Sequence, residues 1–395
     1  MKIAINGAGI AGPTLAWWLA EYGHEPVLIE QAPELRHGGY IVDFWGLGYD
    51  IVEMMGLIPD IRARGYQVQE VRFVDERGRK AGGFEAAVFE RMAEGRFTSL
   101  RRSDVSGVIY DAVKDRCETI FGDSIARIEE DGGGVRVGFE HAAEREFDLA
   151  IGADGLHSRV RSLAFGEEAR FEKFLSYHVA AFEVAGYDPR DELVYVSHSA
   201  PGLQVSRFSM REDRTLFLFV FHDEHFSGTT PQDDAGRKAE LNRIFGGVGW
   251  ECPQILAAME GVDDIYFDRV SQIRMERWTK GRVALAGDAA ACVSLLAGEG
   301  TGLAIAEAYV LAGELHRAGG DFSRAFAEYE KRLMRFVRRK QEGAAKFAAS
   351  FAPRTASGIF IRNWVTKLMR IPFVAERLIG NDLRDDIDLP EYRAE

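Results

Sequence analysis

The stretch Gly7-Ala8-Gly9-Ile10-Ala11-Gly12 fits the pattern G-x-G-x-x-G at every position. The apolar run Ile3-Ala4-Ile5 precedes it, as a buried parallel strand would, and a helical pattern with Leu15 and Leu19 on its apolar face follows. In this setting the first glycine allows a tight turn, the second lets the backbone approach a pyrophosphate, and the third lets helix and strand pack closely. The stretch therefore predicts a βαβ unit that binds a dinucleotide, with the phosphates at the helix N-terminus.

The end of the next predicted strand offers a carboxylate to the same ligand. Glu30 closes the apolar run Pro26-Val27-Leu28-Ile29 and lies 23 positions after Gly7. A residue that accepts hydrogen bonds from a ribose is expected roughly 20 positions on. We take Glu30 and its neighbour Gln31 as candidate cofactor contacts. Arg36, in a glycine-bearing connection just beyond, is either a phosphate contact or an exposed loop arginine.

Composition restricts the class of protein. The 395 residues suffice for roughly two to three domains of about 100–200 residues each. A formal net charge of −13 argues against a general nucleic-acid binder, whose surface would be basic. The three cysteines have no metal-binding spacing, and we expect no metal site. No apolar run reaches about 18 residues and the chain enters a strand at once, so we expect a cytoplasmic protein without integral membrane association.

Two later stretches also carry an acid and glycines directly after an apolar strand. The strand Leu149-Ala150-Ile151 leads into Gly152-Ala153-Asp154-Gly155 and then a helix with Arg159 and Arg161. There Asp154 is expected to tether the loop, glycine N–H groups to face phosphate, and the arginines to supply charge. The strand Val283-Ala284-Leu285 ends in Gly287-Asp288, and an acid at that place suits a ribityl or ribose hydroxyl.

A third glycine-rich helix start follows at Gly298-Glu299-Gly300-Thr301-Gly302, before a predicted helix from Leu303 to Leu315. Its backbone N–H groups are expected to face an anion. Earlier in the chain, Arg102 stands just before a helix that Ser103 or Asp104 can cap, and from there it can reach the cofactor. We count Gly298, Gly300, Thr301, Gly302 and Arg102 among the candidate cofactor residues.

The middle of the chain, residues 173–265, changes to alternating aromatic-rich runs that predict a sheet over the cofactor. Phe217, Phe219 and Phe221 share one face of a strand, and core packing is the more ordinary interpretation of that face. Candidate substrate contacts are Gln204, Arg207, Phe219 and His178. Residues 119–151 hold four short runs that we interpret as a small antiparallel sheet, with a hairpin turn at Asp131–Gly134.

The predicted domain organisation follows from these patterns. Residues 1–172 and 266–340 form a discontinuous cofactor-binding domain, and 75–97 belong either to it or to the substrate part. Residues 173–265 form the substrate-binding sheet. Residues 341–395 form a helical segment that docks across the two domains or, alternatively, lies on a membrane surface. No Ser/His/Asp or metal constellation appears, which suits chemistry carried by a cofactor.

Taken in this order, the three motifs resemble the class A flavoprotein monooxygenases of the para-hydroxybenzoate hydroxylase fold. The resemblance implies an α/β fold: an FAD-binding Rossmann-like domain, an antiparallel-sheet substrate domain and C-terminal helices. It implies that the first motif binds the FAD pyrophosphate, that Glu30 binds a ribose, and that Asp288 holds the ribityl chain. Arg102 and Asp154 match an FAD-contacting arginine and the family's other aspartate.

The reaction that the resemblance implies consumes NADPH or NADH. FAD, bound non-covalently, is reduced and combines with O2 to a C4a-hydroperoxide, which hydroxylates an aromatic or polycyclic small molecule. The ranges 266–273, 278–282 and 308–315 look like the tetracycline-inactivating branch. We expect a monomer or a homodimer.

Two departures from the branch keep alternatives open. Residues 291–296 read Ala-Cys-Val-Ser-Leu-Leu, where the branch usually has a proline, and Glu299 stands where glutamine is usual. A Gly-Glu-Gly loop also occurs in geranylgeranyl-reductase-like flavoproteins, so an FAD-dependent reductase is the second hypothesis, and a non-enzymatic FAD-binding or ligand-sequestering protein is the third. Glu299 itself either faces the flavin, where its carboxylate would disfavour the anionic reduced form, or turns outward.

Overall fold

The computed structural model describes residues 1–35, 40–369, 374, 385 and 387–392. Its strands are β1 (Lys2–Asn6), β2 (Glu25–Glu30), β3 (Ile41–Phe44), β4 (Glu70–Val74), β5 (Lys80–Glu85), β6 (Thr98–Arg101), β7 (Glu118–Phe121), β8 (Ile125–Glu130), β9 (Val135–Phe139), β10 (Arg145–Phe147), β11 (Leu149–Gly152), β12 (Glu172–Ala185), β13 (Val194–Ala200), β14 (Leu203–Ser209), β15 (Arg214–His222), β16 (Tyr266–Ile273), β17 (Thr279–Lys280) and β18 (Val283–Leu285). Its α-helices are α1 (Ala11–Glu21), α2 (Gly46–Met54), α3 (Ile58–Arg64), α4 (Ala87–Met92), α5 (Arg102–Asp111), α6 (Arg159–Ala164), α7 (Asp234–Phe245), α8 (Cys252–Met259), α9 (Asp288–Ala291), α10 (Gly300–Arg317), α11 (Phe322–Phe351) and α12 (Ala356–Leu368).

A six-stranded sheet in the order β17-β18-β11-β1-β2-β7 forms the first core. All its pairings are parallel except that of β17 with β18. Parallel strands are usually covered on both faces and therefore apolar throughout, and Ile3, Ala4 and Ile5 are fully buried. Helix α1 packs against α10 beside this sheet. The carboxyl ends of β1, β2, β11 and β18, where the sequence motifs begin, meet at one edge.

The predicted antiparallel sheet within residues 119–151 is smaller than expected. Only β8, β9 and β10 form it, whereas β7 and β11 belong to the parallel sheet. All four residues of β11 are buried, and the strand pairs with both β1 and β18. The prediction was wrong for the two outer runs because a short apolar strand has the same sequence signal in either kind of sheet.

A seven-stranded sheet in the order β16-β12-β15-β14-β13-β4-β5 forms the second core. It contains the predicted substrate strands and also β4, β5 and β16, which lie outside residues 173–265. Its outer face carries Phe217, Phe219 and Phe221, which pack against Leu241 and Phe245 of α7 and against α8. This confirms that the three phenylalanines belong to the core.

The inner face of the seven-stranded sheet packs toward the elements that carry the sequence motifs. Phe208 of β14 contacts Tyr66, with ring centroids 5.5 Å apart at nearly right angles. Val220 of β15 packs against Leu296, which lies two residues before Gly298. Helix α11 contacts both α10 and β12, and α12 contacts β5 and β13. Among the described residues, no helix is both long and apolar enough to cross a bilayer.

Candidate functional site

The Gly7–Gly12 loop has a shape that only glycine permits at two positions. Gly7 has a φ of +107°, and a Cβ there would lie 2.4 Å from the carbonyl oxygen of Ala153. A Cβ on Gly12 would lie 1.9 Å from the carbonyl oxygen of Gly7. The loop is thus closed tightly between β1 and the first turn of α1, and Ile10 and Ala11 are buried in that turn. This leaves backbone N–H groups at the helix start, where an anion binds well.

The carboxylate of Glu30 reaches this loop from the end of β2. It accepts hydrogen bonds from the N–H groups of Ala8, at 2.8 Å, and Ala32, at 3.0 Å. Glu30 is buried, whereas the next residue, Gln31, is exposed. Glu30 and Gln31 therefore lie at the edge of the sheet where the Gly7–Gly12 loop begins. Arg36, the third residue predicted in this region, lies outside the described residues.

Arg102 brings a positive charge to the same place. Its backbone N–H donates to the carbonyl of Tyr40 at 3.1 Å. Its guanidinium lies 3.6 Å from where a Cβ on Gly9 would be, and it forms no hydrogen bond or ion pair with any described residue. Burial alone would lower the pKa of Arg102, but Tyr40 and Asp288 nearby raise it above its ordinary value. The site therefore holds, next to a helix N-terminus, a cation that no described residue pairs with.

Asp154 serves the protein's own backbone, as the tether that the sequence predicts. It accepts from the side chain of Asn6 at 2.9 Å and from the N–H groups of Arg159 and Val160 at 2.8 and 3.1 Å. Its other oxygen accepts from the hydroxyl of Ser158. The aspartate thus fixes the loop after β11 to β1 and to the start of α6.

The arginines of that loop do not supply free charge. Arg161 is fully buried and donates to the carbonyls of Ala289, at 3.1 Å, and Leu156, at 2.6 Å, and to Glu168 at 2.6 Å. Arg159 pairs with Glu140. Both arginines, which the sequence suggested as charge for a phosphate, thus have acceptors within the protein. Arg161 instead joins the loop after β11 to the segment that carries Asp288.

Asp288 begins α9 directly after a turn that favours glycine. Gly287 has a φ of +63°, and its N–H donates to Glu307 of α10 at 2.6 Å. Burial raises the pKa of Asp288, while the charge of Arg102 opposes that shift. A Cβ on Gly300 would lie 3.8 Å from Oδ1 of Asp288. The segment after β18 is therefore next to both the first loop and the start of α10.

The loop before α10 is held by charged side chains of the protein. Glu299 accepts from Nζ of Lys340 at 3.1 Å, and Nζ also lies 3.1 Å from Asp385. Asp385 in turn accepts from the N–H of Leu47 at 2.9 Å. Gly298 adopts the left-handed conformation, with a φ of +70°. The carboxylate of Glu299 therefore points toward α11.

Thr301 and Gly302 lie in the first turn of α10, which packs closely on another helix. Thr301 is buried. A Cβ on Gly48 of α2 would lie 2.6 Å from Cα of Gly302. This close approach fixes the turn that holds the N–H groups of Gly300, Thr301 and Gly302.

The candidate substrate contacts separate onto two faces of the seven-stranded sheet. Gln204 lies on the inner face and accepts from Arg362 of α12 at 2.9 Å. Arg207 and Phe219 lie on the outer face, where Arg207 pairs with Glu251 and Asp191, and Phe219 is fully buried. His178 also packs on that face, with Nε2 2.8 Å from Asp223. Of the four candidates, only Gln204 faces the site.

Sequence reasoning missed Glu307 and Arg362. One feature of the sequence could have indicated Glu307, because it is the single acid in the otherwise apolar stretch Leu303–Leu311. No such feature indicated Arg362, because a lone arginine in a helix is ordinary.

Comparison with known proteins gives the class first. Residues 1–328 match the family described as FAD binding domain. The chain therefore belongs to this family of FAD-binding proteins, which confirms the resemblance and the predicted α/β fold.

Individual relatives narrow the class. An uncharacterized protein of Mycobacterium tuberculosis is 38% identical over 343 residues, which cover 86% of this chain and 91% of that protein. A flavin-dependent monooxygenase from an unknown prokaryotic organism is 34% identical over 352 residues, 89% of this chain and 90% of its own. The crystal structure of the tetracycline destructase Tet(55) has 30% identity and a TM-score of 0.84, and covers 99% of this chain and 98% of that one. The chain is thus an enzyme, a flavin-dependent monooxygenase, and these relatives favour that hypothesis over the reductase.

Proposed function

We propose that the enzyme hydroxylates an aromatic or polycyclic small molecule at the expense of NADPH or NADH. One atom of O2 enters the substrate and the other leaves as water, while the nicotinamide supplies two electrons. The observation that carries the proposal is the guanidinium of Arg102, which pairs with no described residue and lies beside Gly9 and a helix N-terminus, within electrostatic reach of Asp288. A cation in such a place suits a pyrophosphate between two hydroxyl-bearing chains.

The residues fit four parts of FAD. The N–H groups of the Gly7–Gly12 loop and the guanidinium of Arg102 would hold the pyrophosphate. Glu30, with Gln31 beside it, would hold the adenosine ribose, and Asp288 would hold the ribityl chain. The N–H groups of the turn from Gly298 to Gly302 would face the flavin ring. Asp154 would act on FAD indirectly, because its oxygens already hold the loop after β11.

When bound, FAD supplies the electron transfer and the activation of O2, and the protein positions the substrate and excludes water. The inner face of the seven-stranded sheet suits the second task. It is largely apolar around Phe208 and Val220, and it carries polar groups at Ser197, Ser206 and Gln204. The name of Tet(55) gives tetracycline as that protein's substrate, and a polycyclic substrate is accordingly part of this proposal.

The decisive experiment is product analysis under 18O2. Purified enzyme with FAD is incubated with NADPH or NADH and a panel of phenols and polycyclic polyketides that includes tetracycline. We expect a yellow protein, substrate-stimulated nicotinamide oxidation and one 18O atom in a product. Colourless protein that does not take up added FAD, or nicotinamide oxidation that yields only peroxide with every compound, contradicts the proposal. Anaerobic reduction of an alkene instead supports the reductase.

We also propose that the enzyme is cytoplasmic and is a monomer or a homodimer. All three cysteines are free thiols, and Cys252 and Cys292 are buried, which suits a reducing compartment. Light scattering on the eluate of a sizing column measures the molar mass against the 44.1 kDa of one chain.

A further inference from the structure

The inner face of the seven-stranded sheet has a polar cluster between its two contacts with the flavin-binding part. Phe208 marks one contact and Val220, opposite Gln204 in the strand register, marks the other. Ser206 lies between these two positions and Gln204 lies beside Val220, and both are buried. The hydroxyl of Ser206 is 2.8 Å from that of Ser197 on β13. The cluster is thus close to Leu296 and the loop that precedes α10.

Arg362 of α12 completes this cluster. Nη1 donates to Oε1 of Gln204 and to the carbonyl of Phe351, both at 2.9 Å, and Nη2 donates to the hydroxyl of Ser199 at 3.1 Å. Nη2 and Nε donate to Oδ1 of Asn363 at 3.0 and 3.3 Å. The guanidinium carbon lies 4.0 Å from the centre of the Phe73 ring. Every acceptor is neutral, and no described residue forms an ion pair with Arg362.

Arg207, on the other face of the same sheet, has the carboxylate partners that Arg362 lacks among the described residues. It is buried, and it pairs with Glu251 at 2.8 Å and with Asp191 at 2.7 Å. Buried charges are ordinarily compensated in this way. Arg362 is partly exposed, and no described residue offers it a carboxylate; burial lowers the pKa of Arg362 to about 10. The group therefore remains a cation at neutral pH in surroundings that favour an anion.

An anion with two oxygens in one plane would match the guanidinium fork. The amide oxygen of Gln204 and the hydroxyl of Ser199 are the acceptors that such an anion would replace, because a charged acceptor binds an arginine more strongly than a neutral one. Both belong to side chains, so both can turn aside without a change in the sheet.

We propose that Arg362, in exchange for its hydrogen bonds to Ser199 and Gln204, recognises an acidic group of the substrate. The substrate class is then a ring compound that carries a carboxylate or an ionised enol–ketone pair at neutral pH, since both present two coplanar oxygens. This inference rests on the proposed hydroxylation of a ring compound and names the functional group that orients it. The acidic group binds at the sheet, and the ring to be hydroxylated extends toward the loop before α10.

The test compares acids with neutral compounds of the same shape. Oxidised enzyme with FAD is titrated with salicylate and salicylamide, and with 1-hydroxy-2-naphthoate and its amide, and binding is followed by flavin absorbance. We expect the wild type to bind at least one acid about 10- to 100-fold more tightly than its amide, the range expected of a hydrogen-bonded charge pair. Arg362→Gln should abolish this preference by weakening the acid alone, and Arg362→Lys should retain part of it.

Gln204→Glu separates recognition from a purely structural role. It places a carboxylate against Arg362, so it should abolish the acid preference while the melting temperature stays the same or rises. Lys367→Gln, which removes one positive charge from an exposed position of α12, is the matched control and should keep the preference.

A merely structural Arg362 predicts a different pattern. Gln204→Glu would then leave the acid preference intact, or Arg362→Gln would weaken acid and amide equally, and either result overturns the inference. Equal binding of acid and amide by the wild type, or binding of neither at millimolar concentration, also overturns it. Failure of the proposed hydroxylation gives a different result, namely a protein that binds no FAD or a product without 18O. An enzyme that oxygenates only neutral compounds contradicts this inference alone.

Discussion

The two glycine-rich loops before α1 and α10 use charge in opposite ways. Beside the first loop, the guanidinium of Arg102 has no partner among the described residues. At the second, Glu299 pairs with Lys340, which also pairs with Asp385. The first loop leaves a charge for a ligand, whereas the second uses its charge to hold the protein together. Spacing alone therefore identifies the loops but does not say which charged side chain serves the cofactor.

The largest effect is expected from the shape of the first loop. Gly12→Ala places a methyl group 1.9 Å from the carbonyl oxygen of Gly7, and backbone atoms cannot turn aside as a side chain can. We expect a loss of stability of about 3 kcal/mol or more, as for severe overpacking, together with loss of FAD. Gly343→Ala is the control, because a Cβ there meets no atom within 4 Å and lies in a helix, where alanine is favoured. Chemical denaturation measures the stability of each variant, and the flavin content of the purified protein measures its FAD binding. A Gly12→Ala variant that keeps FAD would contradict the prediction and show that the loop can open.

Arg102 and Arg161 test whether the free charge serves a ligand. Arg102→Gln should weaken FAD binding by about 1.5–3 kcal/mol, the value of a hydrogen bond to a charged group, and should leave the stability of the FAD-free protein unchanged. Arg161→Gln should instead lower the stability of the FAD-free protein by about 1–3 kcal/mol, because Leu156, Glu168 and Ala289 lose their donor. FAD titration and denaturation of the FAD-free proteins separate the two. Equal destabilisation by both variants would contradict a ligand role for Arg102.

The difference between Arg102 and Arg161 also shows which parts of the site can be predicted from the sequence. Gly7, Glu30, Asp154 and Asp288 follow parallel strands, and the carboxyl ends of such strands share an edge, so their meeting was predictable. The sequence does not say which nearby arginine lacks a protein partner. That depends on acceptors such as Glu168 and Ala289, which come from other segments.

The substrate sheet was less predictable for a related reason. Alternation along β14 separates Gln204 from Arg207, but it does not say which face is turned to the flavin. The outer face is decided by α7 and α8, which cover it. Arg362 lies 158 positions from Gln204, and no periodic pattern joins two residues so far apart.

Glu307 gives a pH-dependent test of the turn that links the two loops. Burial raises the pKa of Glu307 well above its ordinary value, and the charge of Asp288 adds to this, while the N–H of Gly287 opposes it. The folded protein thus keeps a proton that the unfolded chain loses above about pH 4.5, so stability falls as pH rises, by at most about 1.4 kcal/mol per pH unit. Glu307→Gln keeps an acceptor for Gly287 and cannot ionise. The stability of this variant relative to the wild type should therefore rise between pH 5.5 and pH 6.5 in denaturation experiments. The same stability difference at the two pH values would contradict a raised pKa of Glu307.

The smallest effect is expected at Glu299, and it bears most directly on the second loop. If its carboxylate faced the flavin, Glu299→Gln would raise the reduction potential, by about 30 mV for each 1.4 kcal/mol of a two-electron couple. Because the carboxylate instead lies 3.1 Å from Nζ of Lys340, we expect the potentials of the variant and the wild type to agree within about 10 mV, a few tenths of a kcal/mol. Equilibration with a redox dye measures the potential, and Glu342→Gln, at an exposed position of α11, controls for the change in net charge. A rise of 30 mV or more in Glu299→Gln alone would mean that the second loop, like the first, directs its charge at the cofactor.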